Sequence, residues 1–376
     1  MPFGLFHPKL SPVLADFGAS GLKLLQLSLG EPRRVQAVAS IPFDAATRAK
    51  PLDARFAAIA AELPGTLRSA GFRGRRVVVA PFMQHTLVQH VAVPAADAEC
   101  AEELIRTRIA ISLGCDPAEL IVRTRSVTDT MRDGEPRTET IAFAMARQDV
   151  MRYVELFRRA GLTVAGVHSG IAAMIHAFDG DPRRSDEGVA TLYADLGYGG
   201  TKIAICHGTK LVFAKSISFA GRALDARLAA AHGGCVEDAR QARMAAGLAA
   251  WSAPEPPMLT AAIAAQAATA VRSERRMATI AREAVESLAD ELNMCMRYHG
   301  ALFPDHPVQR ALFAGGEARD RGLCQALAET LELPVKVGDP LAPLLSREAR
   351  SALDDPAGPH SAWAVAFGLA AAPTDL

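Results

Sequence analysis

Two stretches of this chain set an aspartate and a lysine at the two ends of a glycine-rich turn. The first is Asp16-Phe17-Gly18-Ala19-Ser20-Gly21-Leu22-Lys23, and the second is Asp195-Leu196-Gly197-Tyr198-Gly199-Gly200-Thr201-Lys202. In each, a glycine follows the aspartate by two positions, then come small residues, a hydroxyl and a lysine. Glycines allow positive φ and let backbone N–H groups approach an anion closely. Ser20 and Thr201 carry hydroxyls suited to phosphate oxygens, and Lys23 and Lys202 add positive charge if they point inward. Asp16 and Asp195 would repel a phosphate in direct contact. They make chemical sense as partners of Mg²⁺ through water, because Mg²⁺ prefers oxygen ligands and dehydrates reluctantly.

Either turn alone reads as ordinary hairpin chemistry, since Asp-Gly-rich turns commonly join antiparallel strands. Two alike, each framed by apolar strands, point to duplicated lobes facing one another. A third glycine loop, Phe313-Ala314-Gly315-Gly316-Glu317-Ala318-Arg319, runs from a strand into a helix. Alone it is a tight strand-to-helix turn. After the two aspartate turns, its exposed backbone suits a flat ligand such as adenosine.

The elements that must hold these turns interleave as strands and helices, which predicts an α/β chain. Strands are expected over Val13 to Phe17, Leu22 to Leu27, Arg76 to Ala80, Val88 to Val93, Glu119 to Val127 and Glu139 to Ala146. More follow over Val189 to Ala194, Thr201 to Cys206, Leu211 to Ser216, Ala311 to Ala314 and Val335 to Val337. Helices are expected over Leu52 to Arg68, Ala96 to Leu113 with Asp97 as cap, Asp149 to Ala160 stopped by Gly161, and Arg321 to Leu331. Helical sequence also dominates from Arg222 to His299, broken by prolines around Ser252 to Met258, and Asp179 to Gly188 reads as a charged linker between lobes.

At 376 residues the chain exceeds one usual core. Its formal net charge of zero gives no nucleic-acid footprint, and the Arg272, Arg275 and Arg276 run reads as a solvated helix face. Six cysteines lack Cys-x-x-Cys spacing, which predicts buried free thiols in a reducing compartment. The opening residues do not read as a signal peptide, and Ala362 to Pro373 is too short to span a bilayer and reads as a core helix. A cytoplasmic protein follows, with no direct membrane insertion and no nucleic-acid partner.

The three loops in this order resemble those of the actin, Hsp70 and sugar-kinase superfamily, whose fold is a two-lobed, ribonuclease H-like α/β ATPase fold. Within it the chain is most similar to the PilM family of actin-like, FtsA-related proteins of type IV pilus assembly. Ser11 to Leu27, Phe143 to Val167 and Leu312 to Ala342, with Gly338-Asp339-Pro340-Leu341 near its end, carry the likeness. It is weakest over Ala245 to Arg276.

The resemblance implies ATP or ADP, with Mg²⁺, between the lobes. Gly18, Ala19, Ser20, Gly21 and Lys23 would form the first phosphate loop, and Gly197, Tyr198, Gly199, Gly200 and Thr201 the second. Gly315, Gly316 and Glu317 would form the adenosine loop, with Arg243 holding ribose or base and Asp16 and Asp195 facing the metal. Arg240 stands where the family commonly has a glutamate, and both arginines equally suit a solvated helix. The resemblance places the lobe I core at 1–90, with 168–180 and 355–376 returning to it. An inserted 1C subdomain would span 91–167, the lobe II core 186–235 and 300–354, and a helical 2B subdomain 236–299. The insert would bind the N-terminal cytoplasmic tail of a PilN-like inner-membrane protein, tying the chain to that membrane through its partner.

Gly170 aligns where the family usually carries an acid that positions the attacking water, and His168 reads as a structural histidine. An ATP-binding scaffold with slow or absent hydrolysis is therefore expected, of a pilus or related type II secretion platform. A sugar or small-acid kinase is the alternative, but no aspartate at the lobe crossover suits a base. An FtsA-like tether lacks its basic amphipathic tail, and a chaperone its β-rich substrate domain.

Overall fold

A computed structural model describes residues 9–30, 32–180, 186–232, 234–246, 261–345 and 360–372. The side chains of Arg272, Arg275 and Arg276, the proline-rich break at Ser252 to Met258 and part of the 179–188 linker lie outside the described residues.

Strand alternation sorts the first sheet into two buried faces. β1 (Val13–Gly18), β2 (Gly21–Ser28), β3 (Arg34–Pro42), β4 (Arg76–Ala80) and β8 (Thr163–Val167) form one sheet in the order β3-β2-β1-β4-β8. Val13, Ala15, Phe17, Leu22, Leu24, Val77 and Val79 share one core with residues of α2 (Leu52–Ser69) and α4 (Arg147–Arg159). Leu14, Leu25, Leu27 and Val78 belong instead to the core of α5 (Gly170–His176) and α10 (Ala364–Gly368). Covering both faces explains why β1 and β4 read as largely apolar runs.

The second sheet repeats the plan. β9 (Ala190–Leu196), β10 (Thr201–His207), β11 (Lys210–Ile217), β12 (Val308–Ala314) and β13 (Val335–Val337) run in the order β11-β10-β9-β12-β13. In both sheets the first three strands pair antiparallel and the last two add in parallel. Helices α6 (Gly221–His232), α7 (Val236–Ala246), α8 (Ala261–Leu302) and α9 (Arg321–Leu331) belong to this second lobe. The late apolar segment is α10 between two short 3-10 turns, and Trp363, Val365 and Leu369 are buried as expected of a core helix.

A third sheet stands apart, with β5 (Leu87–Pro94), β6 (Leu120–Arg132) and β7 (Glu135–Ala146) antiparallel in the order β5-β7-β6. Helix α3 (Ala101–Leu113) buries Ile105 and Ile109 against it. Its extent differs from the expected 91–167. Tyr153, Leu156 and Phe157 of α4 enter the lobe I core, and β8 pairs with β4, so both elements belong to lobe I. The separate sheet closes at the cross-strand pair Leu87 and Ala144. Asp97 caps no α-helix: it lies in a 3-10 turn, Ala95–Cys100, and α3 begins without a side-chain cap.

The insert leaves lobe I and touches lobe II. The Ala214 N–H of β11 donates to His90 Nε2 of β5 at 3.2 Å, and the His90 ring stacks on Phe213 at 4.8 Å. Tyr298 of α8 donates its hydroxyl to Glu139 of β7 at 3.3 Å. Burial pushes His90 down to about 4, so it sits neutral as the acceptor of that amide. Of the cysteines, Cys206, Cys295 and Cys324 are buried thiols, but Cys100 and Cys235 are exposed, contrary to the expectation for all six.

Candidate functional site

Hairpin register explains why each turn begins with aspartate and ends with lysine. Asp16 lies directly across β1 and β2 from Lys23, and Asp195 lies directly across β9 and β10 from Lys202. Directly opposed residues put their side chains on the same face of the ladder. Lys23 Nζ stands 3.7 Å from Asp16 Oδ2, and Lys202 Nζ donates to Asp195 Oδ2 at 2.6 Å. The second turn is closed by the Gly197 N–H donating to the Gly200 carbonyl at 3.1 Å.

Two glycines are required by the backbone. Gly21 has φ +146°, and a Cβ there would run into the Ile41 carbonyl of β3. Gly315 has φ +96°, and a Cβ would strike the Leu196 carbonyl and the Asp195 carboxylate. The third loop is thus packed directly on the second turn. The two turns also meet: a Cβ at Gly199 would reach the Ala19 methyl.

Between the lobes these contacts leave a cleft of about 250 Å³. Gly18, Ala19, Ser20, Gly21 and Lys23 line it from lobe I, with Asp16. Gly197, Tyr198, Gly199, Gly200, Gly315, Gly316 and Glu317 line it from lobe II, with Asp195.

Two residues expected there are not. Thr201 is fully buried and its hydroxyl donates to the Phe219 carbonyl at 2.9 Å, so it is spent on the connection between β11 and α6. Arg243 points behind the cleft, where its guanidinium donates to Asp225 at 2.8 Å, Asp320 at 2.8 Å and Glu317 at 2.6 Å. Its neighbour Arg240 reaches the cleft instead, stacking over Tyr198 at 4.5 Å and donating to Glu317 at 2.7 Å. Neither arginine is a solvated helix residue. Burial works to raise Glu317, but Arg240 and Arg243 outweigh it and hold the carboxyl below its ordinary range.

Sequence reasoning missed several residues of the wall. Arg48 of the short helix α1 (Ala45–Ala49) also lies over the Tyr198 ring at 5.5 Å and pairs with Glu237, joining the lobes. Gln84 brings an amide near Gly199, and Trp363 comes from the apolar late segment. No local pattern marks them, because their role depends on lobe packing.

The glycine turns and lysines suit a polyphosphate. Magnesium fits less well, since each aspartate already has an ammonium partner. Among the described residues no three His, Cys, Asp or Glu side chains group to hold a metal. Gly170, which opens α5 after the Ser169 cap, brings no side chain to the site; a Cβ there would stand 3.1 Å from Lys202 Cε. His168 is half-buried, and its backbone N–H extends the sheet by donating to Val79 at 2.8 Å.

No protein-family profile matches the chain, and no curated protein sequence does. Solved structures do. A chain of the PilM-PilN type IV pilus biogenesis complex is 21% identical, covers 97% of this chain and 98% of its own length, and superposes with a TM-score of 0.73. The chain has the actin-like fold of PilM. The ethanolamine utilization protein EutJ from Carboxydothermus hydrogenoformans shares it more distantly, at 12% identity, 97% and 90% coverage and a TM-score of 0.53. The doubled five-stranded sheets are the two lobes of this actin-like fold, and the cleft lies between them. Among the described residues, no helix is long and apolar enough to cross a membrane.

Proposed function

We propose that this chain is a PilM-family, ATP-binding scaffold of a type IV pilus or related type II secretion assembly platform. In this reading ATP or ADP occupies the interlobe cleft, and the inserted sheet holds the N-terminal cytoplasmic tail of a PilN-like inner-membrane protein. The observation that carries it is the convergence of both aspartate–lysine hairpins and the Gly315–Glu317 loop on one cleft. The similarity to the PilM chain over nearly the full length of both supports the partner. Membrane association would come through that partner.

Scaffolding rather than turnover is favoured by Gly170, which supplies no group to orient a water. Phosphoryl transfer rests on positioning and electrostatics, so that loss slows hydrolysis. The His90–Phe213 and Tyr298–Glu139 contacts give the insert a direct hold on lobe II. A nucleotide that sets the lobe orientation therefore sets the insert as well.

The test is equilibrium binding of a labelled N-terminal tail peptide of a PilN-like protein, with and without ATP, alongside ATP titration calorimetry. Expected are saturable nucleotide binding, peptide binding whose affinity changes with ATP, and little ADP release. Robust ADP release dependent on a sugar or small-acid acceptor overturns the scaffold reading.

A further inference from the structure

The two hairpins carry their own cations. Lys23 and Lys202 each lie opposite an aspartate by strand register, so two carboxylates and two ammonium groups meet in the cleft and their formal charges cancel. Lys202 holds the more central place. It contacts Asp195 at 2.6 Å, feels the field of Asp16 from the other lobe, and stands against Gly170 at the start of α5. Burial works against its charge, but Asp195 and then Asp16 outweigh that and raise its pKa, so it stays an ammonium at all ordinary pH.

A water-shelled Mg²⁺ needs oxygen ligands and room for its shell. Here the Asp195 carboxylate is engaged by the Lys202 ammonium at 2.6 Å, and Asp16 faces the Lys23 ammonium at 3.7 Å. Gly170 leaves Lys202 space. A Cβ there would sit tight against Lys202 Cε at 3.1 Å, with Nζ in ordinary contact at 3.5 Å.

Resting on the nucleotide reading of the cleft, we infer that Lys202 is a tethered cation standing in for the divalent metal, so that this chain binds nucleotide polyphosphate without Mg²⁺. The ammonium cancels the Asp195 carboxylate that would otherwise repel a phosphate between the lobes, as the metal would. Being fixed to β10, it offers no metal-bound water and no exchangeable ligand positions.

The experiment is competitive displacement of a fluorescent ATP analogue by ATP, in excess Mg²⁺ and in excess EDTA, for the wild-type protein, Lys202→Met and Lys202→Arg. Wild-type affinity should change less than about threefold between the two buffers, and Lys202→Arg should behave likewise. Lys202→Met should bind about tenfold or more weakly in EDTA and recover in Mg²⁺. Wild-type binding that falls about tenfold in EDTA overturns this inference and leaves the nucleotide reading standing. No binding in either buffer overturns both. The wild-type arm decides the matter even if Lys202→Met does not fold.

Discussion

Replacing Arg243 by methionine tests the hidden wall of the cleft. The guanidinium is fully buried and donates to three carboxylates, those of Asp225, Glu317 and Asp320, each also buried. With Arg240, the cluster carries two positive and three negative charges; Arg243→Met leaves one against three. Asp320 keeps a partner, because it caps α9 by accepting from the Leu323 N–H at 3.1 Å. Among the described residues Asp225 keeps Arg240, at 3.6 Å. Removing one side of a buried pair costs about 3–5 kcal/mol, mostly the penalty of the charge left behind. Urea unfolding followed by circular dichroism should show a loss of that size near neutral pH.

The sign of its pH dependence follows from the same cluster. In the wild type the arginines hold Glu317 below its ordinary range, so its contribution is present above the unfolded pKa and lost as pH falls through the folded one. In the variant the abandoned carboxylates rise and take up protons, which relieves the buried charge. The deficit should therefore shrink by about 1–2 kcal/mol between about pH 7.5 and pH 5.5. A loss below about 1 kcal/mol near neutrality, or a gap that widens on acidification, refutes the reasoning.

Three more outcomes are expected. Gly315→Ala places a methyl against the Leu196 carbonyl at φ +96°, and should cost about 2–4 kcal/mol in thermal unfolding and abolish ATP binding in calorimetry. In lobe II, His207 Nε2 lies 2.8 Å from His299 Nε2; burial lowers both, His299 to about 4. A depressed histidine stabilises fully above its unfolded pKa and loses that stability as pH falls. His299→Leu should therefore lose less stability than wild type between about pH 7 and pH 5, by about 2 kcal/mol, read from melting curves. Excising residues 88–143 and joining Leu87 to Ala144, already cross-strand neighbours, should abolish tail-peptide binding and spare ATP binding; calorimetry that finds ATP binding lost would make the insert part of the nucleotide site.

The hairpins were legible because their chemistry is local. Aspartate, glycine and lysine spacing specifies a turn, a ladder pair and a charge, whatever surrounds them. The duplicated lobes followed from seeing that pattern twice. β3 escaped notice because Arg34 to Ser40 mixes polar residues with small apolar ones and lies half-exposed on an edge, yet duplication offered a signal: β11 follows β10, so a third strand should follow β2. The arginines of α7 were misassigned for a different reason. Three residues apart they share a helix face, and which one meets the cleft is decided by Asp225, Glu317 and Asp320, on other elements. Thr201 likewise looked free because its acceptor, Phe219, is 18 residues away. The boundary at Val167 came out too late because α4 and β8 follow the insert in sequence but return to lobe I, α4 to its core and β8 to its sheet.

The helix α10 gives the order of synthesis a consequence. The first sheet is complete in sequence by Val167, but Leu14, Leu25 and Val78 share their core with Ala364, Val365 and Leu369. Gly368 fits so closely under α5 that a Cβ would strike the Ala173 carbonyl. At about 5–20 residues per second, a ribosome takes roughly 10–40 s to travel from the last strand of that sheet to its covering helix. For that interval the nascent lobe I has α5 but not α10 over this face of its sheet. It cannot finish folding until nearly the whole second lobe has emerged, and a chain truncated before α10 leaves part of an apolar sheet face open to aggregation.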